Sequence, residues 1–274
     1  MSPAHLIVVC GHAIWQGGPE MGWDEAEWLI EGFQKGETPT FIEHIKAGLK
    51  LLSQDQDATL VFSGGATRPE INLSEAASYH KLALANRFFD LLPMDDDDNT
   101  TTTTTTTRIL LEEQALDSYH NILFSLITFW RHHGAWPQRL SLISHAFKRA
   151  RLVDGHCGAI GFPLHRVNFV GINAPGMDAV RLDEEEARGA EEEEEEKKEA
   201  WGGVQLALGQ WEADPHGVGE ELRGKRAKRN CWAVDQRLFL SEEEGERSGV
   251  DVRPILGGGE GLVPGGRRPW ADIS

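Results

Sequence analysis

Leu140-Ser141-Leu142-Ile143-Ser144-His145-Ala146-Phe147-Lys148-Arg149 changes character once, at Ser144. The short apolar run before it has the length of a buried strand, and a helix is expected after it, running through Val153 and Ile160 with Ser144 as N-cap. The same alternation recurs upstream. Leu6 to Cys10 and Thr59-Leu60-Val61-Phe62 read as strands, as do Arg108-Ile109-Leu110-Leu111 and Arg166-Val167-Asn168-Phe169-Val170. Between them lie helical patterns: Phe41, Ile42, Ile45, Leu49 and Leu52 on one face; then Leu73 to Phe89; then Ile122, Leu123, Leu126, Phe129 and Trp130. Short, unalternating apolar strands separated by amphipathic helices predict a parallel sheet covered on both faces. The fold class is therefore a doubly wound, Rossmann-like α/β sheet of about five strands.

That domain occupies residues 1–175, with a long insertion from Gly17 to Thr38 that carries Trp23, Trp28 and Phe33 and reads as a lid or ordered loop. Met94 to Thr107, with four Asp and eight consecutive Thr, reads as a disordered insert. An acidic segment at 182–200 follows, then an extension at 201–240 that packs on the domain, and a Gly-, Pro- and Glu-rich tail at 241–274 that is expected to be disordered.

The net charge of −17 overstates the surface, because Asp95 to Asp98 and Glu191 to Glu196 supply ten of the negative charges in two runs. No basic stripe points to nucleic acid. No segment has the roughly 18 continuous apolar residues of a membrane span, and the start of the chain has no basic leader. Cys10, Cys157 and Cys231 form no Cys-x-x-Cys pair, so neither a zinc site nor a disulfide framework is indicated. The expectation is a cytoplasmic protein without nucleic-acid or membrane partners.

In doubly wound sheets the ligand sits beyond the carboxyl ends of the strands. Here the first strand ends in Gly11-His12 and the second in Ser63-Gly64-Gly65-Ala66-Thr67-Arg68. The third leads to Asp117-Ser118-Tyr119-His120-Asn121, and the fourth to Ser144-His145 with Lys148 and Arg149. His145, Lys148 and Arg149 fall at i, i+3 and i+4, on one face of a first helical turn. Cations are disfavoured there by the macrodipole, so three basic side chains make sense with an anion between them; a solvated basic turn is the alternative. Ser63-Gly64-Gly65 lets backbone N–H groups approach an anion, or is simply a tight turn. It is neither a Walker A loop nor a dinucleotide fingerprint.

Several residues admit two roles. Glu75 completes a capping box with Asn72, or serves as a general base. Asp117 is an N-cap, a base, or, with Glu75 and a phosphate, a Mg²⁺ ligand. Asn121 on an apolar helical face requires a hydrogen-bond partner, protein or substrate. Cys10 is inert packing, or a nucleophile with His145 as base.

As a set, Ser-Gly-Gly after the second strand, Leu73-Ser74-Glu75-Ala76, Asp117-Ser118-x-x-Asn121 and Ser144-His145-x-x-Lys148-Arg149-Ala150 resemble domain of unknown function 218, the SanA-like family. The spacing around His145 resembles its eukaryotic, fungal-type branch. So do Trp28-Leu29-Ile30-Glu31-x-Phe33-Gln34-Lys35-Gly36 and Asp214-Pro215-His216-Gly217 followed by Lys225-Arg226-Ala227-Lys228-Arg229-Asn230. His216 stands where the family carries an aromatic Tyr, and the membrane anchor of many bacterial members is missing. The resemblance implies an α/β domain with a polar pocket built from these motifs, and S-adenosylmethionine as one candidate ligand.

Two functions follow. In the first, a hydrolase or transferase acts on a phosphate-bearing small molecule. His145, Lys148, Arg149 and the Gly64-Gly65 amides bind the anion, Glu75, Asp117 and His145 carry the chemistry, and Asn121 orients the substrate. Gly11, His12, Gln34, Lys35, Ser63, Arg68 and Ser118 line the pocket, and Lys225, Arg226 and Arg229 cap it. In the second, the same pocket binds a nucleotide-like metabolite without turnover. Both require Gly65, Glu75, Asn121 and His145 to line one cavity.

Overall fold

All five apolar runs form strands within one residue of their expected ends. In the computed structural model, which describes residues 4–93, 107–174 and 191–271, the strands in chain order are β1 (His5–Cys10), β2 (Ile14–Trp15), β3 (Trp28–Leu29), β4 (Ala58–Ser63), β5 (Ile109–Glu112), β6 (Arg139–Ser144), β7 (Val167–Gly171), β8 (Val252–Pro254) and β9 (Glu260–Leu262). Five of them make one sheet in the order β5-β4-β1-β6-β7, every pairing parallel. This is the doubly wound α/β fold that the alternation predicts. Most of residues 94–107 lies outside the described residues.

The two faces of the sheet are built from alternate residues of the same strands. Ile7, Val9, Leu60, Phe62 and Ile143 pack under helices α1 (Thr38–Gln54) and α2 (Glu75–Ala85). Leu6, Val8, Val61 and Leu142 pack under α3 (Ser118–His133) and the π-helical segment Ala150–Cys157. Each fully buried Leu, Ile or Phe contributes on the order of 1.5–3 kcal/mol. A Cβ on Gly48 would lie 2.5 Å from Val9 Cγ2, so the missing side chain lets α1 settle directly on β1. Asp117 caps α3 at its start, accepting from His120 N, and Gly134 ends it at φ 68°.

The insertion after β1 is ordered, as an antiparallel β2–β3 ribbon with 3₁₀ turns. The buried Glu27 carboxylate ties it together, accepting from Trp15 Nε1 (3.0 Å), Gly22 N (2.6 Å) and Glu20 N (2.7 Å).

Beyond the sheet lie α4 (Glu191–Ala213), α5 (Glu220–Arg229) and α6 (Glu242–Ser248). Of the acidic segment, residues 182–190 lie outside the described residues, and 191–200 form the start of α4. The tail corrects an expectation. Its composition predicts disorder, yet residues 241–271 form α6, the β8–β9 hairpin and an anchor. Trp270 is fully buried, packs on Trp136 with ring centroids 4.7 Å apart, and donates to Ile160 O at 3.3 Å. A few well-placed apolar residues outweigh a Gly-rich average. No helix among the described residues is long and apolar enough to cross a membrane.

Candidate functional site

Strand order reverses between β1 and β6, so the two chains leave the sheet there in opposite directions and open a crevice. His12 follows β1 and Ser144 ends β6; His12 Nε2 lies 3.2 Å from Ser144 Oγ. A cavity of 280 Å³ opens beside this contact. Its floor comes from the strand exits, one wall from Glu31, Phe33 and Gln34 of the insertion, and its roof from Trp211 of α4 and Leu222, Lys225, Arg226 and Arg229 of α5.

Cations dominate the lining. Lys148 and Arg151 both face the cavity, and neither forms an ion pair among the described residues. Lys148 Nζ instead lies 3.3 Å from His12 Nδ1. Burial, and then the Arg151 charge, push the Lys148 ammonium down to about 7. Burial, then Arg229, also lower the Arg151 guanidinium. The remaining cations are tied to the fold. Arg226 Nη1 pairs with Asp117 Oδ2 at 2.9 Å, Arg229 Nη1 donates to Leu116 O at 3.1 Å, Lys225 Nζ donates to Gln210 Oε1 at 2.6 Å, and Arg68 pairs with Glu31.

The carboxylates divide by role. Glu75 is the first residue of α2, and its N-cap is Ser74, whose hydroxyl accepts from Ala77 N at 2.9 Å. The capping box with Asn72 is therefore not formed, and Glu75 is free to face the cavity. It lies so close to the strand exits that a Cβ on Gly11 would sit 2.6 Å from Glu75 Cβ, and one on Gly64 2.6 Å from Oε2. Thr67 Oγ1 donates to its Oε1 at 2.9 Å, and burial raises its carboxyl above the ordinary value. That leaves a carboxyl suited to proton transfer. Asp117 is the opposite case. Burial alone would raise it, but His120 Nδ1 at 2.7 Å and then Arg226 overcome that and hold it far below the usual carboxylate range. With Oδ1 accepting from His120 and Oδ2 from Arg226, Asp117 is an anchor for α3 and α5 and not a base.

The opening motif behaves differently from its helical reading. His145 has extended backbone (φ −60°, ψ 138°), a 3₁₀ turn covers Ala146–Lys148, and π-helix begins at Ala150. Ser144 is thus a strand residue rather than an N-cap. The change of pitch separates the expected triad. Lys148 reaches the cavity; Arg149 is exposed, 3.5 Å from Asp154; Arg151 takes the place beside Lys148. His145 is only 2% exposed and does not line the cavity.

His145 belongs instead to a cluster with His12 and His44, in which one ring nitrogen of each lies within 4.8 Å of the others. Ring centroids are 4.5 Å apart for His12–His145, 4.9 Å for His44–His145 and 5.4 Å for His12–His44. Burial pushes His44 down to about 3, with His145 adding to it, and lowers His12 and His145 well below the ordinary imidazole value. Neutral rings cannot bind an anion by charge. Cys10, whose thiol burial pushes up to about 11, is no thiolate nucleophile either.

Of the residues expected at the pocket, Gly11, His12, Gln34, Arg68, Glu75, Asp117, Ser118, Asn121, Lys148, Lys225, Arg226 and Arg229 line it. Gln34 buttresses the strand exit, donating to His12 O at 2.8 Å. Ser118 Oγ meets His156 Nε2 at 2.9 Å, and Asn121 Oδ1 accepts from Ser63 Oγ at 3.2 Å. Ser63, Gly64, Gly65, Lys35, His145 and Arg149 lie off the lining. The glycine amides are already committed, Gly64 N to Glu112 O at 3.0 Å and Gly65 N to Ala115 O at 2.7 Å, so they are not an anion cradle. Ser63 Oγ donates to Glu112 Oε2 at 2.5 Å, and Lys35 is exposed. Sequence reading missed Arg151, Thr67, Trp211 and His44. For Arg151 the signal existed, a third basic residue two beyond Arg149.

No protein family profile and no solved structure matches the chain. It is similar to the uncharacterized protein YOR238W of Saccharomyces cerevisiae, 28% identical over 202 residues, which cover 61% of this chain and 67% of the yeast protein.

Proposed function

We propose that the cavity at the β1–β6 switch point binds a phosphate-bearing small molecule, with Glu75 as general acid or base in a hydrolase or transferase reaction. The observation that carries this is the pair Lys148 and Arg151, two cations that face the cavity and form no ion pair among the described residues. Uncompensated buried charge is costly unless a ligand of opposite sign completes it. Glu75 beside them supplies the group that moves a proton. A cavity of 280 Å³ suits a small metabolite.

A second reading, a nucleotide-like metabolite such as S-adenosylmethionine held without turnover, is favoured by one observation. Asp117 is locked to Arg226 and His145 is buried outside the cavity, so two of the three residues expected to carry chemistry are not free to do so.

Convergence of the Glu75, Asp117–Asn121 and Ser144–Lys148 motifs on one edge supports assigning the chain to the SanA-like family, and the yeast relative supports its fungal-type branch. Free Cys10, Cys157 and Cys231 support a reducing, cytoplasmic setting.

The test is a thermal-shift screen of phosphate-bearing metabolites and S-adenosylmethionine, with and without Mg²⁺, on wild type and Arg151→Met. Phosphatase and transferase assays of any hit follow, on wild type and Glu75→Gln. A ligand that stabilises wild type but not Arg151→Met supports the pocket. Turnover lost in Glu75→Gln supports the enzyme, and binding without turnover supports the second reading. Ligands that stabilise both proteins equally would refute the anion pocket.

A further inference from the structure

The three clustered imidazoles come from three separate elements: His12 from the exit of β1, His44 from the middle of α1, and His145 from the exit of β6. Two of the rings are held from outside by hydrogen bonds. His44 Nε2 lies 2.9 Å from Ile172 O, which fixes the proton on Nε2. His12 Nε2 faces Ser144 Oγ at 3.2 Å; Glu37 Oε2 comes within 3.3 Å of His145 Nε2 without forming a hydrogen bond. His44 Nδ1 and both ring nitrogens of His145 are buried with no hydrogen-bond partner, on side chains only 0% and 2% exposed. His12 Nδ1 has only the Lys148 ammonium, at 3.3 Å. Buried polar atoms in folded proteins are nearly always partnered, so three orphaned ring nitrogens in one cluster need an explanation.

We propose that His12, His44 and His145 bind a divalent transition-metal ion, Zn²⁺ or a close substitute, through one ring nitrogen each. Three nitrogen donors select borderline ions of this class over Mg²⁺ or Ca²⁺, which require oxygen ligands. The Ile172 carbonyl behind His44 and the Ser144 hydroxyl behind His12 are outer partners of the kind that orient imidazole ligands in metal sites. Three protein ligands leave one position open, the pattern of catalytic rather than structural zinc. His12 is the one member of the set that also lines the cavity, so the site borders the space in which the substrate is proposed to bind. In the metal-free protein the Lys148 ammonium is the cation nearest His12, and a bound metal displaces it toward the cavity. Sequence reading gives no hint of this site, because the three histidines share no motif spacing. The inference does not depend on what the cavity binds.

The test uses Co²⁺ alone as probe, titrated into the purified, chelator-stripped full chain without any anionic ligand. Uptake of one Co²⁺ per chain with the intense visible absorption of a four- or five-coordinate ion is expected. His44→Gln and His145→Gln should each weaken binding by at least about 100-fold, and Ser144→Ala by about 10-fold. Lys148→Met should bind at least as well as wild type, because it removes a competing cation. Should the buried His variants fail to fold, nitrogen-15 imidazole spectra of the wild-type protein with Zn²⁺ decide. Of the 11 histidines, His12, His44 and His145 should shift. No stoichiometric uptake by wild type, binding undiminished in folded His44→Gln and His145→Gln, or ring shifts confined to other histidines such as the adjacent His132 and His133 would each overturn the proposal.

Discussion

Lys148 should set the pH dependence of anion binding. Its ammonium is pushed down to about 7 in the free protein, by burial and then by Arg151. An anion seated against Nζ restores the ordinary lysine value of about 10.4. Above the free-protein value, each binding event therefore takes up a proton, and affinity falls by up to tenfold per pH unit between about 7 and 10. At pH 9 only about one free molecule in 100 carries the charge, so binding is weaker than on the acidic plateau by about 100-fold, or about 2.7 kcal/mol. The neighbouring imidazoles do not confuse the reading, because burial takes His12, His44 and His145 below this window. Sulfate is the right probe, since it does not itself titrate there. Calorimetry from about pH 6 to 9 in two buffers of different ionisation heat reads both the affinity and the proton uptake. Lys148→Met should bind weakly and without slope. A flat wild-type profile, or a slope that survives in Lys148→Met, would refute the reasoning.

Three further outcomes follow from the same side chains. Burial pushes Glu112 up to about 7 from 4.5, so the folded state keeps a proton that the unfolded chain loses, and stability falls as pH rises across that interval. The loss amounts to about 3 kcal/mol. Glu112→Gln keeps an oxygen for the Gln114 and Ala115 amides, so urea melts should be nearly flat across this window; an unchanged slope would remove Glu112 as its source. Arg226→Met removes the guanidinium partner of the buried Asp117 carboxylate, leaving only His120, and should cost about 3 kcal/mol, with Asp117→Asn in the same chain recovering part of it; a loss under about 1 kcal/mol would show that α5 is not anchored there. Trp270→Ala should cost about 3–5 kcal/mol in the same assay, and a negligible effect would mean that the tail is not part of the fold.

The sheet was legible because its three central strands, β1, β4 and β6, are buried on both sides and so read as bare apolar runs between Gly and Ser exits, such as Leu6 to Gly11 and Thr59 to Gly65. The place of the site followed from the fold, since doubly wound sheets bind at their carboxyl edge. What the sequence concealed was rotation and pairing. A regular helix after Ser144 puts Arg149 beside Lys148; a 3₁₀ turn followed by π-helix turns each residue by a different angle and delivers Arg151 instead. Gly64 and Gly65 looked like an anion cradle, but their amides pair with the exit of β5, and Gly64 mainly gives Glu75 room. Asp117 and Arg226 lie far apart in the chain, so their pairing is invisible before folding. The same is true of His44, which sits on the buried face of α1 among apolar residues.

The most direct test of the anion pocket is a crystal of the protein soaked in selenate, with the selenium located by its anomalous scattering. A selenium peak about 4 Å from both Lys148 Nζ and the Arg151 guanidinium, with selenate oxygens about 3 Å from each, is expected, and it should be lost in Lys148→Met crystals. Selenate found only elsewhere, at exposed Arg149 for example, or bound at the pocket equally in the variant, would contradict it.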